Sequence, residues 1–162
     1  MPIRIVVADQ SDARLYELAA RGEPLALVRE LQNPQAHLHE RELVSDRPGR
    51  RFANAPGMKR RGAVVHHATG GERTWHKQLA EHFARRLADE LEKERAAGAY
   101  DRLVLMAAPA FLGMLRAQIG KAVRACVVAE VHHDLVHQPE EVVRAHLPKE
   151  VGEAGSGRAS SR

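Results

Sequence analysis

Trp75, Leu79, Phe83, Leu87 and Leu91 recur every four residues, with Ala80, Ala84 and Ala88 beside them. That period belongs to a long amphipathic helix and not to a strand. Opposite charges such as Glu81/Arg85, Asp89/Lys93 and Arg86/Glu90 sit at i, i+4 on its other faces, and Ala97-Gly98 offers a C-terminal stop. An apolar run at Arg102–Ala108 follows, and three strand-like runs come earlier in the chain. A helix of this length between strands is a crossover connection, so the sheet must be parallel where the helix delivers the chain.

The earlier runs are Ile3–Ala8, Ala13–Ala19 and Leu25–Leu31. Short polar turns, Asp9-Gln10-Ser11-Asp12 and Arg21-Gly22-Glu23-Pro24, separate them and predict an antiparallel meander. After Arg102–Ala108, Pro109 opens a second helix to about Ile119, and Val123–Val131 reads as a fifth strand. A last helix is expected over Pro139–Leu147. The order β-β-β-α-β-α-β-α then predicts an α/β fold: a mixed five-stranded sheet, strand order 3-2-1-4-5, with helices covering its faces. Residues 1–147 form one domain in this reading, and the Gly/Ser/Arg tail 148–162 is expected to be disordered.

Charge is concentrated in one place. Residues 35–67 hold seven Arg or Lys (Arg41, Arg47, Arg50, Arg51, Lys59, Arg60, Arg61) against three acids, an excess equal to the whole chain's net charge of +4. From Arg47 to Arg61 there are six cations and no acid, interrupted by Pro48, Gly49, Pro56 and Gly57. Such a segment favours a polyanion, most commonly an RNA or DNA backbone, with Arg47, Arg50, Arg51, Lys59, Arg60 and Arg61 on phosphates. The alternative is a solvated loop whose arginines pair with nearby carboxylates. Phe52 is its single aromatic residue, so base stacking has little support.

Composition excludes several classes. The longest apolar runs, such as Leu103–Ala110, fall well short of a membrane span, and one cysteine, Cys126, cannot form an internal disulfide. Met1-Pro2 leads straight into the first strand without a secretory apolar region. A cytoplasmic location is the expectation. Oligomeric state is left open.

Several stretches together resemble the bacterial host attachment protein family. They are Val7-Ala8-Asp9 with Ala13-Arg14, the run Arg41-Glu42-Leu43-Val44-Ser45-Asp46-Arg47-Pro48-Gly49-Arg50 with Phe52, and Asp101-Arg102-Leu103-Val104-Leu105 with Ala108-Pro109 and Phe111-Leu112-Gly113. Ala129-Glu130-Val131 with Asp134-Leu135 completes the set, and the resemblance spans roughly residues 3–147. It implies a role in attachment of bacteria to host cells. The same family looks like a relative of the middle domain of archaeo-eukaryotic release factors and Pelota, which implies a ribonuclease-H-like sheet and a place in translation. Release factors carry a Gly-Gly-Gln loop before the long helix. Here Gly70-Gly71 is followed by Glu72, whose carboxylate would be repelled by rRNA phosphates and lacks the amide's donor. Thr69-Gly70-Gly71-Glu72 also fits a capping box opening the long helix, and that reading explains every residue in it.

No catalytic residue, metal ligand or cofactor is assigned from sequence. Asp9, Glu130 and Asp134 offer the carboxylates that two-metal nucleases of this sheet type use, but turn chemistry accounts for Asp9 and Asp12 equally well, and Asp134 reads as a loop residue. The histidine groups His37/His39, His66/His67 and His132/His133/His137 lack the partner spacing of structural zinc. Cys126 reads as a buried mid-strand residue. The leading expectation is a non-enzymatic RNA- or ribosome-associated module. Alternatives are an interaction protein for host attachment, and a hydrolase acting on RNA or peptidyl-tRNA.

Overall fold

The computed structural model describes residues 2–38 and 62–152, apart from the side chains of 62–70 and 72. Five strands form one mixed sheet in the order β3-β2-β1-β4-β5: β1 Ile3–Ala8, β2 Asp12–Leu18, β3 Ala26–Gln32, β4 Arg102–Met106 and β5 Val127–Val131. β1 pairs antiparallel with β2 (Ile3 opposite Leu18, Ala8 opposite Ala13) and parallel with β4 (Ile3 opposite Arg102, Val7 opposite Met106). β2 pairs antiparallel with β3, and β4 pairs parallel with β5. The predicted topology is the observed one, and it is consistent with a ribonuclease-H-like sheet.

Every residue of β1 is buried because both faces of the sheet are covered. Alternation divides the core in two. Val6, Ala8, Leu15, Leu103 and Leu105 pack against one helical layer, built from Phe83, Leu87 and Leu91 of α1 (Gly62–Ala96) and Phe111, Leu112 and Leu115 of α2 (Pro109–Gln118). Ile3, Ile5, Val7, Val104 and Met106 pack on the opposite face against Leu135, Val136, Val143 and Val151. Arg4 shares the α1 face of β1 and is held there by Glu94 at 2.8 Å, a close but poorly aligned ion pair, with Glu17 at 3.6 Å and the Tyr100 ring centroid 6.0 Å away. Burial pushes the Tyr100 phenol above its ordinary range, and its hydroxyl donates to the Leu91 carbonyl at 2.8 Å.

Four expectations are corrected. The long helix begins at Gly62, so Thr69, Gly70, Gly71 and Glu72 lie inside it and neither cap it nor form a loop before it. Helical backbone over 62–68 already satisfies the groups a cap would serve. Of its apolar stripe, Leu79 onward is buried while Trp75 is 40% exposed. The stop at Gly98 holds: it has φ +75°, and Ala99 N–H reaches back to the Glu94 carbonyl.

The predicted fifth strand is a helical turn, α3 (Lys121–Cys126), followed by β5. Gly120 starts that turn and Val123 is buried in the α1–α2 layer; pairing with β4 begins only where Val127 faces Leu103. A short continuous apolar run fits either element. Cys126 consequently ends α3, half-buried, with its thiol near the Ala122 carbonyl. At the C-terminus, α4 (Glu140–Ala145) is followed by a further turn, α5 (Lys149–Gly152), whose Val151 is 3% exposed and belongs to the second core. The start of the expected disordered tail is therefore ordered; residues 153–162 lie outside the described residues. Among the described residues no helix is long and apolar enough to cross a membrane.

Candidate functional site

At the carboxyl edge of β1 the chain reverses within Asp9–Asp12 to enter β2. Asp9 makes this turn: its Oδ1 accepts from the backbone N–H groups of Ser11 and Asp12, both at 2.7 Å. Competing for nearby backbone donors is what aspartate does in turns, so this much follows from the residue type. The other oxygen, Oδ2, is left facing His137 Nε2 at 3.4 Å. Asp12 opens β2 and presents Oδ1 to His37 Nε2 at 3.0 Å and Oδ2 to His137 Nε2 at 3.7 Å. That Oδ2 atom is buried and receives no hydrogen bond from the described residues.

Three separate segments therefore meet here. The β1–β2 turn supplies both carboxylates; it is anchored by Asn33, whose N–H donates to the Ser11 carbonyl and whose amide donates to the carbonyls of Gln10 and Leu79. Residues 34–38 form a helical turn after β3 and bring in His37. The loop after β5 brings in His137, through a turn in which Gln138 N–H donates to the Leu135 carbonyl. Ligating atoms of Asp9, Asp12 and His137 all lie within 4.8 Å of one another. A cavity of about 270 Å³ opens beside Asp12, His37 and His137, lined also by Arg14, Glu30 and Gln32. Open α/β sheets gather ligands at this edge.

Asp9, Glu130 and Asp134, the carboxylates that the sequence offered as a nuclease-like alternative, do not form a metal-ligating group among the described residues. Glu130 is taken by Arg116, whose Nε lies 2.9 and 3.0 Å from its two oxygens; that hydrogen bonding, opposed by partial burial and helped by the arginine's charge, holds the Glu130 carboxyl below the usual range. Asp134 Oδ1 faces the N–H of Val136 in its own turn. Asp9 instead finds Asp12 and His137. Sequence separates His137 from Asp12 by most of the chain, and no spacing rule links them. The basic residues Arg47, Arg50, Arg51, Lys59, Arg60 and Arg61 lie outside the described residues.

A family model described as a protein required for attachment to host cells matches residues 4–147. The chain belongs to that family. No curated protein matches it. In this host attachment family member the match takes in Asp9, Asp12, His37 and His137, together with the basic segment between β3 and α1. It ends at Leu147, before Val151 completes the second core.

Proposed function

We propose that this host attachment family member is a non-enzymatic cytoplasmic module that associates with RNA, or with the ribosome, by gripping phosphate backbone. The observation that carries the reading is the acid-free run of six cations from Arg47 to Arg61 in a chain whose whole net charge is +4. The segment bearing that run leaves the described fold at Leu38, next to His37 of the carboxylate–histidine cluster. A kinship with release-factor middle domains would give the ribosome as the source of that RNA. The helical course of α1 through Thr69–Glu72, with glutamate in the third motif position, favours binding over peptidyl-tRNA hydrolysis.

Co-sedimentation with ribosomes across a salt series tests it. Association is expected to weaken steeply with salt. Neutralising the six cations should reduce both affinity and the log–log salt slope, by about one for each phosphate that no longer has a cation against it. An absence of salt-sensitive association at low ionic strength refutes the reading. The family's description favours a second reading, a protein–protein role in attachment; the exposed Leu27 and Val28 of edge strand β3 are surface for it. Recovery of the protein on intact cells, with no RNA association, would select that reading.

A further inference from the structure

We propose that Asp9, Asp12 and His137 form a binding site for one divalent transition-metal ion, with His37 as the outer partner that orients Asp12. The first ground is geometric. Bonds of about 2.0–2.2 Å to nitrogen and oxygen ligands place neighbouring ligand atoms of a tetrahedral ion about 3.4 Å apart. His137 Nε2 lies 3.4 Å from Asp9 Oδ2 and 3.7 Å from Asp12 Oδ2, and all three ligating atoms fall within 4.8 Å.

The second ground is what each atom is already doing. Asp9 commits Oδ1 to the turn and keeps Oδ2 for the cluster. Asp12 commits Oδ1 to His37, while its buried Oδ2 has no hydrogen-bond donor among the described residues. A buried carboxylate oxygen without a donor is costly, and a cation removes that cost. His37 on the far oxygen is the kind of second contact that fixes a ligating carboxylate.

The donor set also selects the ion. One imidazole and two carboxylates suit Zn²⁺ or Co²⁺, whereas Ca²⁺ demands six or more oxygens. Three protein ligands leave a fourth position open toward the 270 Å³ cavity, where water or an oxyanion can enter. The site rests on the cluster alone, so ion binding and RNA association can fail separately.

The test uses the full chain, stripped with chelator and titrated with Co²⁺ by visible absorption and with Zn²⁺ by calorimetry. One ion per chain is expected, with Zn²⁺ displacing Co²⁺ and Ca²⁺ having no effect. His137→Gln and Asp12→Asn should each weaken Zn²⁺ binding at least tenfold, while His132→Gln, beside Glu130, should leave it unchanged. His137 is 65% exposed, so its variant decides the matter even where Asp12→Asn fails to fold. No saturable binding would overturn the proposal. Binding that His137→Gln leaves intact would overturn it equally, since the ion then sits on other histidines of the ten in the chain.

Discussion

Replacing Glu94 by leucine would leave Arg4 inside the α1 layer with only Glu17 to answer its charge. Arg4 is 3% exposed and Glu94 9%, and their closest atoms are 2.8 Å apart. At an effective dielectric near 20 that separation corresponds to about 6 kcal/mol of gross attraction, much of it offset by desolvation of both groups. Breaking one side of such a pair leaves the desolvation cost in place, so a loss of about 3 kcal/mol is expected. Glu17, at 3.6 Å and partly exposed, keeps the figure at the low end. Arg4→Met combined with Glu94→Leu removes both charges and keeps similar volume, and should lie within about 1 kcal/mol of wild type. Urea unfolding followed by circular dichroism reads this directly: with m near 2 kcal/mol/M, the single variant shifts the midpoint by about 1.5 M and leaves m unchanged. A Glu94→Leu loss below about 1 kcal/mol, or a double variant as damaged as the two singles combined, would refute the reasoning.

Arg116→Gln removes the hydrogen bonds that hold the Glu130 carboxyl low. Because that group's folded value is depressed, its stabilisation is present above the ordinary carboxylate range and is lost as pH falls through the lowered value. The variant should therefore melt below wild type near pH 7 and converge with it only as pH falls below the lowered carboxyl value, as thermal melts across pH will show. Val151→Ala should cost about 1–2 kcal/mol in denaturant unfolding, since its side chain fills the second core; no loss would mean that the terminal turn does not dock. Labelled RNA incubated with Mn²⁺ should remain uncut; cleavage abolished by Asp9→Asn would make the cluster a hydrolytic centre.

Much of the architecture is legible in the chain because its signals are local. Turn residues between Ala8 and Ala13 impose an antiparallel return, and the four-residue recurrence of Leu79, Phe83, Leu87 and Leu91 imposes a crossover. With the second turn at Arg21–Pro24 and the second helix opened by Pro109, the order of all five strands follows. Errors fall where local signals are ambiguous. Thr69–Glu72 has the composition of a helix start, yet residues 62–68 are helical too; Val123–Cys126 is as apolar as a strand but winds as a helix to bury Val123.

The cluster marks the boundary between the two kinds of information. Asp9 and Asp12 announce a turn by residue type, and the bonds that Asp9 Oδ1 accepts from the Ser11 and Asp12 N–H groups are the turn's own chemistry. That the leftover oxygens face two imidazoles is a different matter. His37 arrives on a segment after β3 and His137 on a loop after β5, and they meet only because β1 lies between the two halves of the sheet. Periodicity and turn chemistry act over a few residues and so are written along the chain. Convergence of distant side chains depends on how whole strands stack, and it exists only once they have stacked.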